Sequence, residues 1–441
     1  MEKSRAIEIL ERWNPWTKEI ETGISRDYTE TLIKFARSGK VLSILGVRRA
    51  GKSTIMRQVA GRLSKEEGKE NILIINLEDP TLEGIRAQDL QSIYDAFLEV
   101  IKPKGKPFVF LDEIQNVPGW ERFVRSLNER KEAHIFVSGS SSKLLSEELA
   151  TSLAGRQLKF EIFPLSFKEF LRFNDMEVES SKDMLLNAKK IKALFREYME
   201  FGGYPEVVLN KDREFRMRTL MSYYEDILLR DVVMRFKVKE VEKLRALARF
   251  YLTNISNPIT FNSIAKFLDL PTETIRRFTN YLESTRMLFF IKRFSYKVKE
   301  QEKAPRKVYA IDVGLPNVLG FKFSTDAGRV AENLVAIALK RAAEINPCLE
   351  TYYWSDGQRE VDFVIKERTR AMQLIQVCWD VSNPTSKARE IDAAIRASKK
   401  LRCPTINILT EDYEAKEKHS GKTIAFIPLW KWLLSSQPHR L

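Results

Sequence analysis

Short apolar runs alternate with longer amphipathic stretches along the first third of the chain. "KVLSILG" (40–46) is one continuous apolar run, and "STIMRQVAGRL" after it repeats apolar residues at helical spacing. "NILIINLEDP" (71–80), "KPFVFLDEIQNV" (106–117), "AHIFVSGSSS" (133–142) and "RQLKFEIFPLS" (156–166) predict four more strands, with helical segments between them. Strands that are apolar throughout and separated by helices predict a parallel sheet covered on both faces. From about 165 to 245 the pattern is mainly helical, broken by "FGGYPEVV" (201–208). Residues 245–310 then hold two short helical stretches joined at Leu270-Pro271, followed by "FFIKRFSYKVK", which reads as β-rich. A long helix (Gly328–Ala343), the strands "TYYWSD", "REVDFVI" and "LIQVCWD", a helix (Lys387–Lys400) and the strands "PTINILT" and "TIAFIPL" complete a second α/β unit.

Length and composition narrow the function classes. A chain of 441 residues exceeds one core, and 44% hydrophobic with 30% charged residues describes a globular protein. No apolar run approaches the ~18 residues of a membrane span, and "MEKSRAIEIL" lacks a signal core, so a cytoplasmic protein is expected. Cys348, Cys378 and Cys403 are scattered, and the histidines are only His134, His419 and His439. Disulfide frameworks, zinc clusters and histidine catalysis are therefore disfavoured. The net charge of +14 points towards a polyanion such as DNA.

"GVRRAGKS" (Gly46–Ser53) fits G-x-x-x-x-G-K-S between a strand and a helix. Gly46 and Gly51 let backbone N–H groups turn inward on phosphate oxygens, at the positive end of the next helix. Lys52 would meet the β- and γ-phosphates of ATP, and Ser53 would complete a Mg²⁺ shell. Arg49 and Thr54 join these four as expected nucleotide contacts. Asp112-Glu113 ends a predicted strand, which places Asp112 to hold Mg²⁺ and Glu113 to deprotonate the attacking water. Ser138 or Ser140, on the next strand end, is expected at the γ-phosphate or the water, with Ser140 taken as the catalytic candidate. Arg156 is the candidate arginine finger, acting in trans on a neighbouring copy. That role implies a homo-oligomer.

"GVRRAGKST", "FLDEIQNVPGWE", "VSGSSSKLLS", "SLAGR" and "IFPLSFKEFL", followed by "FGGYPEVV", "YYEDILLRDV", "YAIDVGL", "GRVAENLV" and "REVDFVI", resemble a large prokaryotic family of AAA+-like ATPases, abundant in archaea. The resemblance covers nearly the whole chain. It implies an α/β fold class: a P-loop, additional-strand (AAA+-like) parallel-sheet domain, a winged helix-turn-helix, and a C-terminal restriction-endonuclease-like α/β domain. The expected divisions are an N-terminal segment (1–30), the ATPase core (31–175), a helical lid or linker (176–244), the winged helix (245–310) and the endonuclease-like domain (311–441).

In a DNA-binding reading, Arg276 and Arg277 lie on the exposed face of the second helix, and Lys292, Arg293 and Lys297 lie on the wing. The same module is also suited to docking a protein partner. In the endonuclease-like unit, Glu332 and Asp362 fit two metal-binding carboxylates. Gln376 and Cys378 stand where a further acid and a lysine would be, and Glu360 shares the Asp362 face. A degenerate nuclease is the favoured reading of that unit. The leading function is Mg²⁺-dependent ATP hydrolysis coupled to DNA handling. The rivals are a slow nucleotide switch acting through protein contacts and an ATP-regulated nuclease.

Overall fold

The computed structural model describes residues 2–140, 153, 155–320 and 327–435. The chain divides into two compact units, Met1–Ile162 and Phe163–Leu441. Among the described residues no helix is long and apolar enough to cross a membrane.

The first unit is built on β1 (Val41–Gly46), β2 (Ile72–Asn76), β3 (Phe108–Asp112), β4 (His134–Ser140) and β5 (Gln157–Ile162). They form one sheet in the order β2-β3-β4-β1-β5, and every pairing in it is parallel. β1 is buried along its whole length, as a central parallel strand must be when helices cover both faces. β4 lies between β1 and β3, so the phosphate-loop strand and the Asp-Glu strand are not neighbours. Asp112 pairs with Asn76, and Gly46 with both Ser140 and Ile162, so all the polar strand ends share one edge.

The N-terminal segment packs into this unit. Ala6, Ile9 and Leu10 of the helix Lys3–Trp13 join its core, and Trp16 stacks on Phe97 at 5.6 Å. Asn14 donates to the Ile74 carbonyl (3.2 Å) and accepts from the Ile74 N–H (2.6 Å). One side chain thus supplies the pairing that the β2 edge would otherwise lack.

The second unit begins with helices between Phe167 and Thr253, interrupted by a π-helix at Ile227–Met234 that begins within "YYEDILLRDV". The helix Val241–Thr253 is followed by β6 (Pro258–Ile259), helices Phe261–Leu268 and Thr272–Ser284, β7 (Leu288–Lys292), a helix Val298–Lys303 and β8 (Arg306–Ala310). The three strands pair antiparallel in the order β6-β8-β7. "FFIKRFSYKVK" is therefore strand only in its first half. Val298 onward is helical, with Lys297 and Glu300 paired at 3.1 Å across its start.

A six-stranded mixed sheet follows, in the order β13-β14-β12-β11-β10-β9. Its strands are β9 (Leu349–Ser355), β10 (Glu360–Glu367), β11 (Arg370–Val377), β12 (Thr405–Thr410), β13 (Ala415–His419) and β14 (Lys422–Pro428). The helices Ala327–Ile345 and Pro384–Leu401 pack on it.

Two of the motifs meet inside this unit. Asp312 of "YAIDVGL" is buried and accepts from the N–H groups of Gly203 (2.7 Å) and Gly314 (2.8 Å). Gly202 has φ +74°, and a Cβ there would collide with the Asp312 carboxylate. Gly202→Ala should lower the unfolding free energy by at least ~2 kcal/mol, from strained backbone plus a displaced buried acceptor. Denaturant titration of the full chain measures it.

Candidate functional sites

The phosphate loop closes β1 and opens the helix Lys52–Glu67. Gly46 has φ +152°, and a Cβ on it would collide with the Ile162 carbonyl, so a larger residue would push β5 away. Gly51 sits left-handed (φ 94°) as the residue preceding the helix, and Arg49 is also left-handed at φ 68°. Such a run points successive N–H groups into one concavity, which is the shape that cradles a phosphate. Thr54 follows Ser53 on the first helical turn.

Lys52 is buried, with Nζ 3.3 Å from the carbonyls of Gly46 and Val47 and 3.7 Å from Glu113 Oε1. Its ammonium is thus held inside the loop beside the carboxylate assigned to the attacking water. Glu113 is left-handed too (φ 52°, ψ 47°). Gln115 donates its amide to Glu113 Oε2. Asp112 is buried, and burial, then the charge of Glu113, raises its carboxyl above the usual range, against hydrogen bonds from Ser138 and Ser53 and the charge of Lys52.

Among the described side chains, Ser138 is the β4 hydroxyl in this network. Its Oγ donates to Asp112 Oδ1 and accepts from the Glu113 N–H at 3.1 Å. The Ser140 side chain lies outside the described residues. Arg156 directly precedes β5, and its carbonyl accepts from Val41 N at the start of β1. It pairs with Glu129 at 3.0 Å. That position is the length of β1 from the phosphate loop, ~17 Å at 3.3 Å per residue. Arg156 therefore has no access to its own chain's loop.

Sequence reasoning missed the support behind the loop. Gln58 donates to the carbonyls of Thr22 (2.8 Å) and Ile24 (2.7 Å), and accepts from Arg26 N–H (3.1 Å). Arg26, also buried, donates to the Ala50 carbonyl at 2.9 Å. Residues 22–26 are thereby strapped against the loop and its helix. The available signal was Gln58 itself, a polar residue beside Ile55 and Val59 on a buried helix face.

The donor set fits Mg²⁺ and ATP. A hydroxyl and a carboxylate are hard oxygen ligands, and Ser53 lies within hydrogen-bond reach of Asp112. A nearby cation would also restore the ionised form that burial disfavours in Asp112.

The second candidate site differs from expectation. Glu332, Glu360 and Asp362 do converge, but around an ammonium. Lys307 of β8 lies 3.0 Å from Glu332 Oε1, 2.7 Å from Glu360 Oε1 and 3.0 Å from Asp362 Oδ1. The Lys307 side chain is 1% exposed. Burial opposes its charge, but Asp362 and Glu332 more than offset this, so its pKa stands well above the ordinary value. Tyr309, two residues along the strand, donates to Glu332 Oε1 at 2.7 Å.

Gln376 and Cys378 bring neither a carboxylate nor an ammonium to this cluster. Gln376 accepts from the Asp362 N–H and donates to Glu390, while Cys378 belongs to an apolar cluster with Ile391 and Ala394. Burial pushes the Cys378 thiol up to about 11, so it stays protonated and is a poor metal ligand. Lys366 pairs with Glu350 at 2.9 Å and stays out of the cluster. Among the described residues, no group of three or more His, Cys, Asp or Glu is arranged to hold a metal ion.

The helix Thr272–Ser284 buries Ile275, Phe278, Thr279 and Leu282, and leaves Arg276 and Arg277 exposed. Lys292 pairs with Glu302, and Lys297 with Glu300. Arg293 forms a backbone bridge to Tyr353, which fixes its main chain to β9. Exposed ion pairs of this kind are worth at most ~1 kcal/mol, so these lysines exchange partners readily.

Comparison with known proteins agrees with the first site. Residues 38–171 match the AAA domain, and residues 192–326 match a domain of unknown function, DUF8612. Uncharacterized protein MJ1544 of Methanocaldococcus jannaschii is 35% identical, over 93% of this chain and 91% of its own. An uncharacterized protein of Haemophilus influenzae is 28% identical, over 92% of this chain and 98% of its own. Among solved structures, the Thermotoga maritima RuvB Holliday junction branch migration motor is 15% identical, over 60% of this chain and 89% of its own, with a TM-score of 0.29. The chain belongs to the family of MJ1544, archaeal and bacterial proteins in which an AAA-type P-loop ATPase domain precedes a domain of unknown function.

Proposed function

We propose that the protein hydrolyses ATP in a Mg²⁺-dependent reaction and couples turnover to DNA binding or remodelling. The observation that carries the hydrolytic part is the convergence of Lys52, Glu113, Asp112 and Ser138 at one sheet edge. Lys52 exchanges the loop carbonyls for the phosphates. Ser53 and Asp112 would hold Mg²⁺, which would supply charge neutralisation to the phosphates. Glu113, steadied by Gln115, takes the proton of the attacking water. Arg156 of a second copy supplies charge to the γ-phosphate, which makes the working form an oligomer.

The DNA part rests on residues 245–310. Their order of helices and strands supports a winged helix, with Arg276 and Arg277 on its exposed helix and Lys292, Arg293 and Lys297 towards its wing. The cluster around Lys307 supports a C-terminal unit that binds or assembles rather than cuts. The experiment is phosphate release with and without duplex DNA. DNA should raise the rate several-fold, and the double variant Arg277→Ala/Lys297→Ala should lose that rise while keeping the basal rate. An unchanged wild-type rate with no DNA bound favours the nucleotide switch instead.

A further inference from the structure

A cavity of about 530 Å³ opens in the second unit beside β6, β7 and the helix Val298–Lys303. This volume is in the range of small-molecule sites and far exceeds what a single ion requires. Its lining combines two chemistries. Phe261, Phe290, Ile259 and Ala304 are apolar or aromatic, and Arg276, Arg306 and Lys303 are cationic, with Arg306 paired to the lining carboxylate of Glu302 at 3.2 Å and Arg276 3.8 Å from Glu273. The two guanidiniums are placed by the same ring, Arg276 at 5.1 Å and Arg306 at 5.9 Å from the Phe261 centroid. Phe261 is also the first residue of its helix, with Thr260 as cap, so the positive end of that helix faces the same space.

We infer that this cavity takes an unpaired nucleobase together with its phosphate. Cations alone would suit any phosphate backbone, and an apolar floor alone would suit any hydrophobic side chain. The two together match a flat aromatic base joined to an anion, the combination that single-strand binding sites use. A base within a stacked duplex does not present its faces, so the ligand is a base in a single strand, a bulge or a frayed end. Arg276 then closes on a base rather than reading the major groove. This inference rests on the proposal that residues 245–310 bind DNA, and it names the form of DNA preferred.

Fluorescence anisotropy of the full chain provides the test. The probes are a labelled single-stranded oligonucleotide, the matching duplex and the duplex with one bulged base, with free dAMP and poly-glutamate as competitors. The single-stranded and bulged probes should bind about tenfold or more tighter than the plain duplex. Arg276→Ala and Lys303→Ala, both surface changes, should each reduce that preference. Arg277→Ala, outside the cavity, should weaken all three probes alike. Competition by dAMP at concentrations that leave duplex binding intact would identify a free mononucleotide as the ligand source. Equal affinity for all three probes, or a preference that survives Arg276→Ala, overturns the inference while leaving DNA binding in place. Absence of binding to any DNA overturns both, as does displacement by poly-glutamate as effective as by DNA.

Discussion

Glu113→Gln should abolish ATP turnover while nucleotide binding survives. The substitution keeps the size and shape of the side chain and removes its charge and its ability to accept a proton. Loss of a positioned general base costs ~10²–10⁴-fold in rate. Lys52 and the backbone of the phosphate loop are untouched, so affinity should stay within a few-fold of wild type. Left-handed backbone at Glu113 adds a second reason for a clean result, because the replacement shares the same β-carbon and inherits the same strain. Steady-state phosphate release, set beside equilibrium binding of a fluorescent ATP analogue, separates the two effects. Parallel loss of both would move Glu113 from the chemistry to the architecture of the loop.

Lys307→Met should destabilise the second unit by about 3–5 kcal/mol, the usual cost of leaving buried charge without its partner. Glu332, Glu360 and Asp362 all approach this one ammonium. Pairing the change with Asp362→Asn should recover part of the loss, since the two side chains are in contact and their effects are coupled. The cluster also predicts a pH dependence. Burial, then the charge of Asp362, pushes the Glu332 carboxyl up from 4.5 to about 8, against the pull of Lys307 and Tyr309. The folded chain therefore holds this proton to higher pH than the unfolded chain. Its stabilising contribution is complete below about pH 4.5 and is lost as pH rises towards about 8. Denaturant midpoints measured across that window should fall less steeply in Glu332→Gln than in wild type. Equal slopes would show that Glu332 is ionised throughout.

The two sites differ in how much of them was legible in the sequence. The phosphate loop is a local device. Its glycines, Lys52 and Ser53 are consecutive residues between a strand and a helix, and their spacing alone dictates the geometry. Asp112 and Glu113 were legible for the same reason, as polar residues closing an apolar run. Lys307 was not, because it stands 25 residues before Glu332 and 55 before Asp362. Its place depends on how β8 packs against a different sheet, and no local period encodes that. The alternation in "RKVYA", with Lys307 and Tyr309 on one face of a strand buried from Lys307 onward, was the available trace. The wing shows the opposite error: the apolar "FFIK" set the reading of the residues after it, although the charged "VKEQEK" that follows forms a helix.

The hydrolytic reading of the first site is most directly decided by phosphate release from ATP by wild type and by Lys52→Ala, each with Mg²⁺ and with the metal chelated. Lys52 is the buried cation of the loop, with its Nζ held inside it against the carbonyls of Gly46 and Val47. Release should occur in wild type with Mg²⁺ and disappear both in Lys52→Ala and on chelation. Equal release by wild type and Lys52→Ala, or no release by wild type under any condition, would contradict it.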